Sequence, residues 1–292
     1  MTSKLARSYR IDDPKGFRLT AFDPDDTAGL DRDKDDVNTM LAQDIEKLAD
    51  LQKRLYAQNL WAILVVLQGM DTAGKDGIIT HVMGGVNPQG CEVHPFKAPS
   101  DRELEHSFLH RAVLALPERG HIGIFNRSYY EEVLVARVHP DLLDRQKLPP
   151  RLITKSIWRE RFEDIRNIEQ HLARSGTLVL KVFLHISKEE QRKRLLARLD
   201  EPDKRWKFSM GDIAERKLWD KYMAAYQDAI AETSRPHAPW YVVPADHKWF
   251  ARLTVARAMV DALDKLDLAY PEADAAALKE MHKVHKALAE KH

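Results

Sequence analysis

Residues 60–77 read LWAILVVLQGMDTAGKDG, and the fold class follows from this stretch. Residues 60–67 form an uninterrupted apolar run, which predicts a strand that is buried on both faces, as in a parallel sheet. Glycines at 69, 74 and 77 then predict a tight turn. The stretch therefore predicts a buried strand, a glycine-rich turn and a helix over 75–84 in direct succession.

The turn has the spacing G-x-x-x-x-G-K of a phosphate-binding loop, and it stands in the strand-to-helix context that this motif requires. Backbone N–H groups close around phosphate oxygens there, the helix N-terminus adds positive potential, and Lys75 supplies a cation. The alternative is that the glycines only make a turn. The predicted phosphate ligands in the loop are Gly69, Thr72, Ala73, Gly74, Lys75, Asp76 and Gly77.

One position departs from the usual loop, because Asp76 stands where a serine or threonine ordinarily meets Mg²⁺. An aspartate cannot donate a hydroxyl hydrogen bond, so metal binding must be arranged differently. Asp71 lies within the loop and offers hard oxygen atoms close to the phosphates. We therefore predict Asp71 as the principal ligand of Mg²⁺, with Mn²⁺ as a substitute. The alternative is that Asp71 orients the group that accepts a phosphate.

A second apolar strand, predicted over 121–125, ends in Asn126-Arg127. Open α/β sheets bind ligands at the carboxyl ends of their strands, so Arg127 is expected to point into the same crevice as the loop. Asn126 occupies the place of a metal-binding aspartate and brings no charge. The alternative for Arg127 is a surface ion pair.

Strands alternate with helices along the remaining chain, which predicts an α/β fold with a parallel sheet covered by helices on both sides. Further strands are predicted over 91–93, 178–184 and 241–243. Further helices are predicted from residue 36 to about 55 and over 101–116, 128–138, 151–174, 187–199, 212–232 and 247–265. The chain is divided into an N-terminal arm and helix (1–55), a main domain (56–270) and a C-terminal helical tail (271–292).

Composition excludes several classes of protein. The 292 residues carry 46 Lys+Arg and 45 Asp+Glu, and this balance argues against bulk binding of nucleic acid. No apolar run approaches the ~20 residues that span a bilayer, and a single cysteine forms no intrachain disulfide. We expect a cytoplasmic protein without a membrane or nucleic-acid partner.

Charge is nevertheless uneven along the chain. Residues 21–37 hold seven Asp, in an arm whose role the sequence leaves open, and residues 191–217 hold nine Lys/Arg against five Asp/Glu. A mobile basic lid at about 190–215 would screen the charge of bound phosphates and exclude water from them. Arg192, Arg194 and Lys207 are its predicted phosphate contacts, and the alternative is a solvated charged face.

Four motifs in one order resemble the polyphosphate kinase 2 family over about residues 55–265. They are GMDTAGKDG, PFKAPSDRELEHSFLHR, FNRSYYEEVLVARV and EQRKRLLARLDEPDKRWKFS. The resemblance implies a P-loop kinase fold and reversible, Mg²⁺-dependent phosphoryl transfer between inorganic polyphosphate and a nucleotide. It also implies a homo-oligomer, either a dimer or a tetramer.

Many members of that family carry Asp at the position of Asn126 and Asn at the position of Glu131. The version in this chain resembles the subgroup that phosphorylates both nucleoside monophosphates and diphosphates, which implies AMP and ADP as acceptors, with GMP and GDP as further candidates. The implied catalytic centre is Asp71, Lys75, Asn126, Arg127 and Glu131. The implied nucleotide contacts are Lys97, Arg111, Arg127 and Tyr130.

Two rival functions share these motifs. One is an ATP-dependent nucleotide kinase, which differs only in its phosphoryl donor. The other is a nucleotide-binding switch that hydrolyses slowly. The dense basic lid favours transfer over switching, while base preference, chain length and physiological direction stay open.

Overall fold

The computed structural model describes residues 5–32 and 36–290, and in this part of the chain a six-stranded sheet forms the centre of the molecule. The strands are β1 (Arg10–Ile11), β2 (Ala62–Gln68), β3 (Cys91–Pro95), β4 (Ile122–Asn126), β5 (Thr177–His185) and β6 (Trp240–Pro244). Their order is β1-β6-β5-β2-β4-β3, and every neighbouring pair is parallel except β1 with β6. The predicted fold class is confirmed.

The central position of β2 follows from its composition. All seven of its residues are buried, and it pairs with β4 on one side and β5 on the other. A strand covered on both faces tolerates no regular polar alternation, which is why its sequence is an apolar run. The loop that follows β2 therefore leaves the sheet at its centre, between two neighbouring strand ends.

Helices cover the sheet in two groups. They are α1 (Val37–Gln58), α2 (Lys75–Val82), α3 (Asp101–Leu104), α4 (His110–Leu114), α5 (Val135–Val138), α6 (Asp141–Arg145), α7 (Ile157–Arg174), α8 (Lys188–Asp200), α9 (Met210–Lys217), α10 (Trp219–Thr233), α11 (Lys248–Leu263) and α12 (Ala275–Ala289). One group consists of α1, α2 and α11, which pack on each other. The other is built from α7, α10 and α5, with α7 lying on β5.

Three predicted helices are interrupted, and these predictions were wrong in extent. The segment 101–116 forms only α3 and α4, and a capping box between Ser100 and Glu103 fixes the first of them. The segment 128–138 begins with the 3₁₀ turn Tyr129–Glu132, which Ser128 caps, before α5. The segment 212–232 is divided into α9 and α10 at Leu218, where the backbone leaves helical geometry (φ −96°, ψ 17°).

The N-terminal segment belongs to the same core as the sheet. Strand β1 extends the sheet beyond β6, and Ala6 and Tyr9 are buried. Helix α1 packs along α11, where the buried Asp44 forms an ion pair of 2.8 Å with Arg257. The boundary predicted at residue 55 thus does not coincide with a gap in packing. Asp33 and Asp35 of the acidic arm lie outside the described residues.

The C-terminal tail behaves differently, because no residue of α12 is buried. Four large apolar side chains of this helix are exposed, and they are Leu278, Met281, Val284 and Leu288. In the described part of the chain, no helix is both long and apolar enough to cross a membrane.

Candidate active site

The loop between β2 and α2 adopts the conformation that its glycines allow. Gly69 has φ 154°, and a side chain there would meet the carbonyl oxygen of Leu184 at 3.0 Å. Thr72 and Gly74 also have positive φ, of 68° and 112°. The hydroxyl oxygen Oγ1 of Thr72 is buried without a hydrogen-bond partner in the described structure. Such an orphaned donor indicates a place that an anion oxygen would satisfy.

Lys75 folds back over this loop. Its ammonium Nζ donates to the carbonyl oxygens of Gly69 (2.6 Å) and Met70 (3.3 Å), and the side chain is buried. Burial, together with the positive charge of Arg127, lowers the pKa of Lys75 to about 8. The loop therefore holds a cation where phosphates would replace the carbonyl contacts.

Arg127 connects the two predicted carboxylates. Its Nη2 donates to Asp71 Oδ1 at 2.6 Å, and its Nη1 donates to Glu131 Oε2 at 3.1 Å. Glu131 is the largest influence that raises the pKa of Arg127, with Asp71 adding to it. The structure thus brings Asp71, Arg127 and Glu131, three residues of the implied catalytic centre, together in one bridge.

The backbone of Arg127 explains why its side chain points into the crevice. Its N–H bonds to the carbonyl oxygen of Leu67 at 3.0 Å, which continues the pairing of β4 with β2, while φ is 64°. A left-handed conformation at a residue other than glycine costs of order 1 kcal/mol and turns the chain sharply out of the strand. Such strain is characteristic of functional sites.

Asn126 and Asp76 pair with each other. Asn126 Nδ2 donates to Asp76 Oδ1 at 2.9 Å, so these two departures from the usual P-loop pattern are complementary. Asp76 takes the amide hydrogen bond at the first turn of α2, next to Lys75. The pair fixes the end of β4 against the start of α2.

A cavity of about 440 Å³ opens beside the loop. Gly69, Asp71 and Arg127 line one part of it, and its walls are largely apolar. The apolar wall is formed by Phe96, Leu104, Leu134, Val135, Leu142, Tyr222 and Tyr226. A predominantly apolar cavity with a few convergent polar groups is the usual form of a small-molecule site.

Lys97 and Arg111 both line this cavity, as predicted for nucleotide contacts. Arg111 Nη1 donates to the carbonyl oxygen of Lys97 at 2.8 Å, and its guanidinium lies 5.3 Å from the ring centroid of Phe96. This stacking holds Phe96 at the cavity wall. Their contact with a nucleotide stays a prediction.

Tyr130 does not reach the cavity, which corrects its place among the nucleotide contacts. The side chain is fully buried, and its hydroxyl is hydrogen-bonded to Glu169 (2.9 Å), Thr233 (2.8 Å) and the ammonium of Lys181 (3.0 Å). Glu169 and Lys181 form a buried ion pair of 2.6 Å. The sequence alone could not show in which direction the side chain of Tyr130 points, because a 3₁₀ turn does not preserve helical spacing.

Arg194 also has a different place from the one predicted. It is buried and donates to the carbonyl oxygens of Thr72 (3.0 Å), Ala73 (3.2 Å), Ala245 (2.6 Å) and Asp246 (2.8 Å). Its guanidinium therefore supports the P-loop from outside the cavity. All these acceptors are backbone oxygens, so no sequence motif marks them.

The other two predicted phosphate contacts of the lid are Arg192 and Lys207. Arg192 is exposed and paired with Glu189 on the same helix at 2.6 Å, so it lies on a solvated face, as the alternative interpretation had it. The side chain of Lys207 lies outside the described part of the chain.

The lid is nevertheless tied to the loop by a short relay. Arg216 of α9 donates from Nη1 to Gln191 Oε1 at 2.8 Å, and Gln191 Nε2 donates to the carbonyl oxygen of Asp71 at 3.2 Å. Asp212 pairs with Arg198 at 2.9 Å across the lid. Burial raises the pKa of Asp212, and the negative charge of Asp71 adds to this rise.

Sequence reasoning missed a polar cluster at the cavity. Glu132 and Gln146 line the cavity, and Arg161 bonds to both of them from α7. Burial raises the pKa of Glu132, while Arg161 opposes the rise. These residues come from three separate segments without a shared motif, so only the fold reveals them.

The residues around Asp71 fit a divalent cation with oxygen ligands. Asp71 Oδ2 takes part in no hydrogen bond with the described residues, and the side chain is 24% exposed. Among those residues, no group of three or more His, Cys, Asp or Glu could hold a metal ion. Mg²⁺ commonly binds through one or two carboxylates together with substrate phosphates and water, and a single carboxylate such as that of Asp71 fits this pattern.

Comparisons with known proteins identify the family of this chain. The family described as Polyphosphate kinase 2 matches residues 31–271. The chain is 52% identical over 256 residues to an ADP-polyphosphate phosphotransferase of Rhodopseudomonas palustris, covering 87% of this chain and 89% of the relative. It is 44% identical over 273 residues to an AMP/ADP-polyphosphate phosphotransferase of Meiothermus ruber, covering 94% and 98%.

A solved structure extends the comparison to the fold. The crystal structure of Polyphosphate Kinase 2 from Arthrobacter aurescens superposes with a TM-score of 0.88 at 42% identity, and it covers 98% of each chain. Sequence and fold therefore agree with each other, and the chain belongs to the polyphosphate kinase 2 family, as a polyphosphate-dependent phosphotransferase.

Proposed function

We propose that this enzyme transfers the terminal phosphoryl group of inorganic polyphosphate to AMP and ADP, reversibly and with Mg²⁺. The bridge between Asp71, Arg127 and Glu131 carries the proposal, because it joins the P-loop to the cavity. The names of the two relatives, with ADP or AMP/ADP as acceptor, support the choice of acceptors.

The chemistry is an in-line displacement. A terminal phosphate oxygen of the acceptor attacks the end phosphorus of the chain, a new P–O bond forms, and the bond to the next phosphate breaks. The polymer leaves one unit shorter. Such transfers require little covalent chemistry from the protein, so positioning and charge neutralisation supply the catalysis.

Each predicted residue has a defined task in this scheme. Lys75 and the backbone N–H groups of the loop hold the donor phosphates. Arg127 neutralises charge on the transferred group, and Glu131 orients Arg127. Asp71 would hold Mg²⁺, which when bound neutralises charge on the phosphates it contacts. The orphaned hydroxyl of Thr72 offers one further donor to them.

The donor distinguishes this function from an ATP-dependent kinase. The test is formation of ATP from ADP and long-chain polyphosphate in the absence of any other phosphoryl donor. Asp71→Asn and Lys75→Ala should each reduce turnover at least ~10²-fold while leaving the far-ultraviolet circular dichroism unchanged, because the first weakens the binding of Mg²⁺ and the second removes a cation that meets the phosphates. Turnover close to that of the wild type in both variants would contradict the assignment.

Two further properties are proposed with this function. Assembly into a dimer or tetramer is supported by the exposed apolar side chains of α12. A cytoplasmic location is supported by the free Cys91, the only cysteine of the chain. Sedimentation velocity tests the first, and fractionation of cells tests the second.

A further inference from the structure

The cavity beside the P-loop has polar groups at more than one place. Gly69, Asp71 and Arg127 belong to the phosphate-binding part, whereas Glu132 and Gln146, which are hydrogen-bonded to each other, line another part of the cavity. A nucleotide has the same division, with phosphates at one end and the polar edge of a base at the other. Apolar walls such as Phe96 and Leu134 suit the faces of a base.

Glu132 is held rigidly. Arg161 Nη1 donates to the backbone oxygen of Glu132 (2.9 Å) and to its Oε2 (3.3 Å), while Arg161 Nη2 donates to Gln146 Oε1. Gln146 Nε2 donates to the same Oε2 of Glu132. The guanidinium of Arg161 is itself fixed between Phe108 and Trp158, at 5.0 and 5.7 Å from their ring centroids.

These contacts leave one acceptor over. Both donors are directed to Oε2, and Oε1 accepts no hydrogen bond from the described residues. The side chain is only 8% exposed, and it lines both this cavity and a smaller one next to it. The enclosed oxygen Oε1 favours a ligand that places an N–H group against it. A ligand that places an oxygen there is disfavoured, because two hydrogen-bond acceptors would then be buried without a donor.

We propose that Glu132 determines base specificity, with its Oε1 accepting a hydrogen bond from the 6-amino group of adenine. A 6-oxo purine would place its O6 against the carboxylate oxygen, and the two acceptors would repel each other. The inference rests on the proposed function for the presence of a nucleotide in this cavity, and adds to it a preference for adenine over 6-oxo bases.

The first test uses the unmodified enzyme and binding alone. Dissociation constants are measured by calorimetry, without polyphosphate, for ADP, for purine riboside 5′-diphosphate, which has hydrogen at C6, and for IDP, which has oxygen there. ADP should bind roughly tenfold or more tightly than either analogue, the range for one well-formed hydrogen bond to a base. Equal affinities for the three ligands would overturn the proposal.

The second test reverses the polarity at this point. In Glu132→Gln the carboxamide oxygen must face Arg161, so its NH₂ group faces the cavity and offers a donor in place of an acceptor. The ratio of the dissociation constants of IDP and ADP should therefore fall, with IDP becoming the better ligand. A variant that folds and keeps the wild-type ratio would contradict the role of Glu132.

The matched control is Glu169→Gln, which also removes a carboxylate paired with a buried cation but lies outside the cavity. It should lower stability and keep the wild-type base preference, so a changed preference there would count against a specific role for Glu132. If Glu132→Gln does not fold, the comparison of ligands on the wild type still decides.

The polyphosphate assay distinguishes failure of the proposed base contact from failure of the proposed function. ATP formation with equal use of ADP and its analogues would refute the base contact and leave the proposed function intact. Absence of ATP formation from polyphosphate, with a preserved preference for ADP in binding, would refute the proposed function and leave the base contact standing.

Discussion

At the scale of single residues, Lys75 shows how burial sets a working range of pH. Its pKa lies at about 8 in the unliganded enzyme, because the surroundings that position it also remove its hydration. Bound phosphates are anions and would raise this pKa again. The free enzyme and the complex should therefore respond differently to alkaline conditions.

We expect kcat/KM for polyphosphate to fall as pH rises above about 8, since the free enzyme then loses the ammonium that meets the phosphates. The value of kcat, which reports the complex, should hold to higher pH. Initial rates between pH 7 and 10 check this. A flat kcat/KM over that range would contradict it, and residual activity of Lys75→Arg should lack the decline because a guanidinium stays charged.

Arg127 illustrates a residue whose geometry matters as much as its charge. It bonds to Asp71 with one nitrogen and to Glu131 with another. Lysine keeps the charge but cannot span both carboxylates with a planar fork. We expect Arg127→Lys to reduce kcat at least ~10²-fold, measured in the ADP assay.

The matched control for this substitution is Arg137→Lys. Arg137 pairs with Asp228 and does not line the cavity. Its variant should keep kcat within about twofold of the wild type, because an ion pair at the surface contributes little. An equal loss in both variants would mean that the effect of Arg127→Lys is general rather than local.

At the scale of elements, α8 carries one arginine that supports the loop and another that is exposed to solvent. Arg194 satisfies four backbone carbonyl oxygens of two loops, whereas Arg192 on the same helix is exposed. Removing a buried donor leaves its acceptors unpaired, and each unpaired group is costly. The two arginines, two positions apart, should therefore differ in their effect on stability.

We expect Arg194→Ala to lower the free energy of unfolding by about 2–4 kcal/mol, as measured by urea denaturation, and to raise KM for polyphosphate because the loop loses its support. Arg192→Ala should leave both quantities unchanged within error. Similar effects of the two substitutions would show that Arg194 does not act through the loop carbonyls.

At the scale of the whole molecule, two buried lysines couple the fold to pH. Lys75 and Lys181 both have their pKa lowered by burial to about 8 from 10.5. Between these values the unfolded chain binds more protons than the native one, so stability rises with pH in that window. The charge of Glu169 acts in the opposite direction on Lys181 without cancelling the effect of burial.

Each lysine should therefore contribute a gain of about 1 kcal/mol to the unliganded enzyme between pH 8 and pH 9.5, which ionisation of Cys91 and of tyrosines in the unfolded chain partly offsets. Urea denaturation at the two pH values measures this gain. Lys181→Met should reduce the gain, since one of the two titrating groups is absent. Stability that falls over this window would contradict the protonation states assigned to both lysines.

The C-terminal helix provides the other prediction at this scale. No residue of α12 is buried. A variant that ends at Tyr270 should therefore unfold at the same midpoint temperature as the wild-type monomer. If α12 joins subunits, sedimentation velocity should show smaller assemblies for the shortened chain. An unchanged assembly together with a lowered midpoint would mean that the helix stabilises its own subunit.

The sequence alone determined the parts of this protein that are local. The run at 60–67 and the spacing of Gly69, Gly74 and Lys75 predicted β2 and the P-loop, because burial on two faces and positive φ each restrict residue type within a few positions. The end of β4 was equally predictable, since parallel strands bring their carboxyl ends to one edge.

Only the tertiary structure decided which charged and aromatic side chains face the substrates. Arg194 donates to backbone carbonyl oxygens, and Tyr130 is hydrogen-bonded to a buried ion pair. Glu132 is hydrogen-bonded to Gln146 and Arg161 at the cavity. Their partners lie 14 to 122 residues away along the chain. Contacts over such separations depend on how helices pack, and spacing within a motif holds no information about that packing.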